Sequence, residues 1–171
     1  MKYPKIIITG PFNSGKTELV KNLSDIKVVE TEQILGKEKT LDKHTTTVVM
    51  DFGRVTLDND MIVYLFGTPG QDRFDFMWEI LSKNMIGFVV MIDSTQRDLS
   101  LAKDILKFFK EKSDVPYIIA ANKKDLFGAF DNEYIRENLN IPKNIEIVPC
   151  IATDRNSCIN VLIKILEKIN C

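Results

Sequence analysis

The sequence predicts an α/β fold built on a six-stranded, mostly parallel sheet with one antiparallel edge strand and helices on both faces. Three observations predict it. Short apolar runs recur along the chain, amphipathic helical stretches separate them, and a glycine-containing loop joins one strand-like run directly to a helix-like one. The strand candidates are 5–9, 47–57, 61–66, 87–92, 115–121 and 145–150, all rich in β-branched and aromatic residues. Most are continuous apolar runs, as parallel strands covered on both faces require. Asp58-Asn59-Asp60 is a polar turn that makes the second and third candidates a hairpin, hence one antiparallel strand.

Helices fill the gaps. Thr17-Glu18-Leu19-Val20 opens the first. Residues 98–112 place Leu99, Ala102, Leu106 and Phe109 on one stripe, and 157–169 line up Ile159, Leu162, Ile163, Leu166 and Ile169. Residues 25–46 mix charge with scattered apolar positions and exceed the usual loop length, so they read as a mobile functional segment.

A chain of 171 residues suits one domain, 1–171. With 23 basic and 24 acidic residues it has no broad basic field for a phosphate backbone, so nucleic acid is not an expected partner. The longest apolar run, Gly87 to Ile92, is too short to cross a bilayer. No signal-peptide core follows Met1, Lys2 stands where myristoylation needs glycine, and Cys171 is not in a prenylation box. Three cysteines, Cys150, Cys158 and Cys171, form no CxxC pair. That pattern fits a reducing cytoplasm, with no stable membrane insertion.

Gly10-Pro11-Phe12-Asn13-Ser14-Gly15-Lys16-Thr17 fits G-x-x-x-x-G-K-[ST] between a strand and a helix. Gly10 and Gly15 let the loop backbone, including Asn13 and Ser14, aim several N–H groups at one anion. The helix N-terminus adds positive potential. Lys16 supplies a full charge for the β- and γ-phosphates, and the Thr17 hydroxyl is a Mg²⁺ ligand. This motif selects a nucleoside triphosphate without choosing the base.

Asn122-Lys123-Lys124-Asp125 follows the 115–121 strand. Guanine presents N1–H and an exocyclic amino group along one edge, and an ionised Asp125 accepts from both. Adenine offers a bare acceptor there, which leaves the carboxylate unpaired. Asn122 can tie this loop to the phosphate loop, and the Lys123 stem can lie on the base face.

Together these residues resemble the Ras-like small GTPase superfamily over nearly the whole chain. Thr45-Thr46-Thr47-Val48-Val49-Met50-Asp51-Phe52-Gly53-Arg54 and Phe66-Gly67-Thr68-Pro69-Gly70-Gln71-Asp72-Arg73-Phe74 are similar to prokaryotic small GTPases related to the MglA polarity group. The resemblance implies a P-loop NTPase G-domain that binds GTP or GDP with Mg²⁺ and hydrolyses GTP. It assigns the switch I threonine, a Mg²⁺ ligand that senses the γ-phosphate, to Thr47 by the spacing Thr-x-x-x-Asp-Phe, with Thr46 and Thr45 as alternatives. It implies that Gly70 donates its N–H to the γ-phosphate, that Gln71 orients the attacking water, and that Ala152 in Cys150-Ile151-Ala152-Thr153 offers its N–H to guanine O6. Lys16, Thr47 and Gln71 form the implied catalytic set.

Two departures matter. Gly67 stands where the usual Asp-x-x-Gly-Gln pattern has the aspartate that holds a Mg²⁺ water, as MglA-like relatives also lack it. Thr46 stands where some of those relatives carry an arginine finger, and no arginine lies between Lys16 and Arg54. Such a finger is worth roughly 10³–10⁵ in rate, so slow intrinsic hydrolysis is expected. A regulatory or effector protein at the switch segments, of the roadblock type, is the implied partner. The rival readings are a guanine-nucleotide scaffold without turnover and an ATP-dependent P-loop enzyme. His44 and Asp93 read as loop and turn residues. Phe74, Phe76, Met77 and Trp78 divide between packing and partner docking.

Overall fold

The computed structural model describes residues 4–35, 46–57, 61–70 and 75–170, and for 30–35 and 46–49 the backbone alone. The central strand is β1 (Lys5–Thr9), whose isoleucines alternate between two cores. It lies between β4 (Ile62–Gly67) and β5 (Gly87–Asp93), parallel to both. Outward from β5 come β6 (Tyr117–Asn122) and β7 (Ile147–Pro149), also parallel. Outward from β4 come β3 (Thr46–Thr56) and β2 (Val29–Leu35), each pairing antiparallel with its neighbour. The order is β2-β3-β4-β1-β5-β6-β7.

All six expected strands form, and the one strand that runs against the others is β3, as the hairpin turn implies. It is not the edge. Val29–Leu35, inside the stretch read as a mobile segment, adds a seventh strand outside it. Glu30, Glu32 and Gln33 make this strand polar, which suits a sheet edge but hides it from a search for apolar runs. Its existence rests on the ladder offered by β3, a tertiary partner that a local window does not contain.

Two layers of helix cover the sheet. α1 (Lys16–Leu23) and α5 (Arg155–Ile169) pack on the face that carries Ile6, Ile8, Val89 and Ile118. α2 (Asp75–Ser82), α3 (Ser100–Lys112) and α4 (Asn132–Leu139) pack on the face that carries Ile7, Phe88, Val90 and Ile119. Every residue of β5 and β6 is buried, the double coverage expected of continuous apolar strands. Caps fix the later helices: Asp131 accepts from the Tyr134 N–H and Asp154 from the Ser157 N–H, both at 2.8 Å.

Two side-chain expectations change. On α5 the buried positions are Cys158, Val161, Leu162 and Ile165, while Ile159 and Ile163 face outward. Two apolar stripes lie side by side on this helix, and periodicity cannot choose which one meets the sheet. Trp78 belongs wholly to packing. It is 4% exposed, its ring meets Phe108 edge-on at 5.5 Å, and its Nε1–H donates to the Pro69 carbonyl at 2.8 Å. That bond ties α2 to the turn after β4.

Candidate nucleotide site

The carboxyl ends of β1, β4, β5, β6 and β7 share one edge of the sheet, because these strands are parallel. In open α/β sheets ligands bind outside that edge. The loops leaving it carry Gly10 to Gly15, Thr68 to Gly70, Asp93 to Thr95, Asn122 to Asp125, and Cys150 to Ala152.

The phosphate loop leaves β1 at Gly10 and enters α1 at Lys16. Its turn needs left-handed backbone at Gly10 (φ 142°), Asn13 (φ 62°) and Gly15 (φ 102°). Glycine is also required by space: a Cβ on Gly10 would lie 2.3 Å from the Met91 carbonyl oxygen, and one on Gly15 2.1 Å from Asn122 Nδ2. The Lys16 ammonium donates to the carbonyls of Gly10 at 2.8 Å and Pro11 at 2.6 Å, within the loop it would share with phosphate. Ser14 is fully buried and sits near the same ammonium.

Asn122 joins the two halves of the site. It is 3% exposed, its Nδ2 donates to the Ser14 carbonyl at 2.9 Å, and its Oδ1 accepts from the Ala152 N–H at 2.8 Å. One side chain thus clamps the phosphate loop, the end of β6 and the loop after β7. The Ala152 N–H, assigned by resemblance to guanine O6, is held here by Asn122. Lys123 adopts a left-handed backbone (φ 62°) and its ammonium pairs with Asp93 at 2.6 Å. This pair ties the loop after β6 to the end of β5. Burial pushes the Asp93 carboxyl up, but hydrogen bonds from Lys123 and Thr95 outweigh it and hold Asp93 below the usual carboxylate range. Asp125, two residues beyond Lys123, is exposed.

The first residues after β4 close against the phosphate loop. Thr68 donates through its N–H to the Ile8 carbonyl and through its hydroxyl to Thr9 Oγ1, both at 2.9 Å. The Gly70 carbonyl accepts from the Phe12 N–H at 3.0 Å, and a Cβ on Gly70 would lie 2.4 Å from that nitrogen. On the other side, the Thr17 hydroxyl donates to Asp51 Oδ2 at 2.6 Å, and Asp51 is 4% exposed.

The structure therefore gathers Gly10, Asn13, Ser14, Gly15, Lys16, Thr17, Gly70, Asn122, Lys123, Asp125 and Ala152 around one sheet edge. It holds Thr47 elsewhere. That residue pairs with Ile34 in the β2–β3 ladder, four residues and about 13 Å of strand from Asp51. Thr46 pairs with Leu35. Thr45, Gln71, Arg73, Phe74 and His44 lie outside the described residues. Sequence reasoning missed Asp51 and the Lys123 pairing of Asp93, whereas the turn role read for Asp93 is seen in its acceptance from the Thr95 N–H at 2.9 Å. Both aspartates carried a signal: each is a lone carboxylate in or ending an apolar strand, where burial demands a partner.

Burial pulls the Lys16 ammonium down to about 8 from 10.5, against an opposing pull from the Asp51 carboxylate. Between those values the unfolded chain keeps a proton that the folded chain has lost. The stability of the ligand-free protein should accordingly gain from this group as pH rises through that window. Phosphate requires the charged form, so nucleotide affinity moves the other way, falling above pH 8 as binding begins to take up a proton. Calorimetry at pH 9 in buffers of different ionisation enthalpy should register that uptake in the wild type, and Lys16→Met should abolish it.

A glycine-bounded loop on a strand–helix junction, a buried lysine inside it, and a hydroxyl at the next position define a P-loop nucleotide-binding protein. A family model described as "conserved hypothetical ATP binding protein" matches residues 8–171, and the chain belongs to that family. An uncharacterized protein of Methanocaldococcus jannaschii is 34% identical over 122 residues, 71% of this chain and 71% of its own length. The Ras-related protein Rab-32C of Dictyostelium discoideum is 25% identical over 129 residues, 71% of this chain and 52% of the Rab. These similarities support a P-loop, small-GTPase-like relationship. Among the described residues no helix is long and apolar enough to cross a membrane.

Proposed function

We propose that this chain is a cytoplasmic guanine-nucleotide switch that binds GTP and GDP with Mg²⁺ and hydrolyses GTP slowly. The observation that carries the reading is the Asn122 clamp. It ties the loop after β6 to the phosphate loop and to the Ala152 loop, which supports a base-reading role for Asp125 three residues further on. An exposed carboxylate three residues beyond that clamp suits the two donors of guanine and has no counterpart on adenine. The Lys123–Asp93 pair supports the same reading by anchoring the Lys123 side chain, whose stem would lie against a bound purine. The Ras-related name of one relative agrees with it.

The residues fit Mg²⁺. The Thr17 hydroxyl spends its proton on Asp51 and keeps its lone pairs for a cation, and Mg²⁺ characteristically takes few protein oxygens besides phosphate and water. When bound, the ion would neutralise phosphate charge. For Thr47 to join Thr17 it must leave the β2–β3 ladder, which makes that ladder the bistable element of the switch. Triphosphate would draw Thr47 inward and hold Gly70, Gln71 would place water, and hydrolysis would release both segments. A protein partner of the roadblock type would read the difference.

The family description favours a second reading, an ATP-binding protein. Competition of GDP and ADP for a fluorescent nucleotide separates the two. The switch reading expects GDP to displace the probe at far lower concentration. Equal or better displacement by ADP would overturn it. A rate of phosphate release no different between wild type and Gln71→Ala would remove the hydrolytic step and leave a binding scaffold.

A further inference from the structure

Gly67, the last residue of β4, stands where the resemblance implies an aspartate, yet the site does not lack a carboxylate. Asp51 is the ladder partner of Gly67 across the β3–β4 pairing. Its side chain occupies the room that a residue at 67 would use: a Cβ built on Gly67 would lie 2.9 Å from Asp51 Oδ2 and 3.0 Å from Asp51 Cβ. The same oxygen accepts the Thr17 hydroxyl proton at 2.6 Å, and the carboxylate is close enough to Lys16 to oppose the loss of its proton. Asp51 is 4% exposed in the middle of an otherwise apolar stretch, and a buried carboxylate at that place demands a cationic or hydrogen-bonding role.

We infer that Asp51 is the metal-site carboxylate of this protein, moved across one strand of the sheet from position 67, where glycine is the residue that leaves it room. This rests on the Mg²⁺–nucleotide reading of the site, but not on which base is bound. Asp51 orients the Thr17 hydroxyl with its lone pairs toward the cation and presents a negative charge for the ion or its water. Outer-sphere groups of this kind tune metal affinity by 10- to 100-fold. The pairing also explains why glycine at 67 does not signal a dead site: one carboxylate fits here, and it is supplied by β3.

The test is the release of fluorescent GDP from preloaded protein as free Mg²⁺ is varied. In the wild type, Mg²⁺ should slow release with a definite half-effective concentration. Asp51→Asn should raise that concentration by about 10- to 100-fold. In EDTA the same variant should release nucleotide no faster than wild type, because a negative charge near the phosphates has been removed. A merely structural defect would speed release under both conditions. The double variant Asp51→Ala with Gly67→Asp returns a carboxylate from the neighbouring strand and should restore the half-effective concentration to within a few-fold of wild type.

An unchanged Mg²⁺ response in Asp51→Asn overturns the inference. So does a folded double variant that fails to respond, which decides the matter if Asp51→Asn does not fold. Should wild type retain fluorescent ADP and not GDP, the guanine reading fails, and the same titration with ADP still decides the role of Asp51.

Discussion

Gly15→Ala should cost both stability and nucleotide binding, and should do so through a residue more than a hundred positions away in the chain. The alanine Cβ would arrive 2.1 Å from Asn122 Nδ2, at a backbone φ of 102° that alanine adopts only under strain. That strain alone is worth about 1–3 kcal/mol. Relief requires Asn122 to move, which breaks its bonds to Ser14 and Ala152 at 2.9 and 2.8 Å. Each buried group left without a partner adds about 1–3 kcal/mol. Chemical denaturation should therefore register a loss of several kcal/mol, and the variant should retain neither GDP nor ADP. Binding within threefold of wild type would show that the Asn122 clamp does not couple the two loops.

Asp125→Asn should exchange one purine for another. Guanine offers two donors to the Asp125 carboxylate, whereas an asparagine amide offers one donor and one acceptor. Hydrogen bonds to a charged group contribute about 1.5–3 kcal/mol each, so GDP affinity should fall by about 10²-fold or more. Xanthine carries an oxygen in place of the exocyclic amino group, which suits the amide, and xanthosine diphosphate should gain what GDP loses. Asp125 is exposed, so the substitution should leave the melting temperature of the ligand-free protein unchanged. Calorimetry with the two diphosphates checks both arms. A variant that binds GDP as wild type does would remove Asp125 from base recognition and reopen the adenine reading.

How much was legible in the sequence depended on where each interaction closes. The phosphate loop was legible because its turn, its lysine and its hydroxyl are contiguous, and because Ile6, Ile7 and Ile8 announce the strand that launches it. The Asn122-to-Asp125 loop was legible as a polar turn directly after an apolar strand. Strand β2 was not, since Glu30, Glu32 and Gln33 become a strand only against β3. The buried face of α5 was not, since Ile159 and Ile163 compete with Val161 and Ile165 until the sheet selects one stripe. Asp51 and Asp93 were visible as isolated carboxylates, but their partners Thr17 and Lys123 are far off in the chain.

The parallel α/β plan and the strand–loop–helix junction at Gly10 to Thr17 follow from local pattern alone, because apolar periodicity and glycine-bounded loops act over a few residues. The tertiary structure decided the rest: that β3 runs inside the edge, that Trp78 packs and Thr47 is held in a ladder, and that Asp51 fills the space beside Gly67. Those facts depend on strand register, and register is set when the whole sheet closes on its two cores.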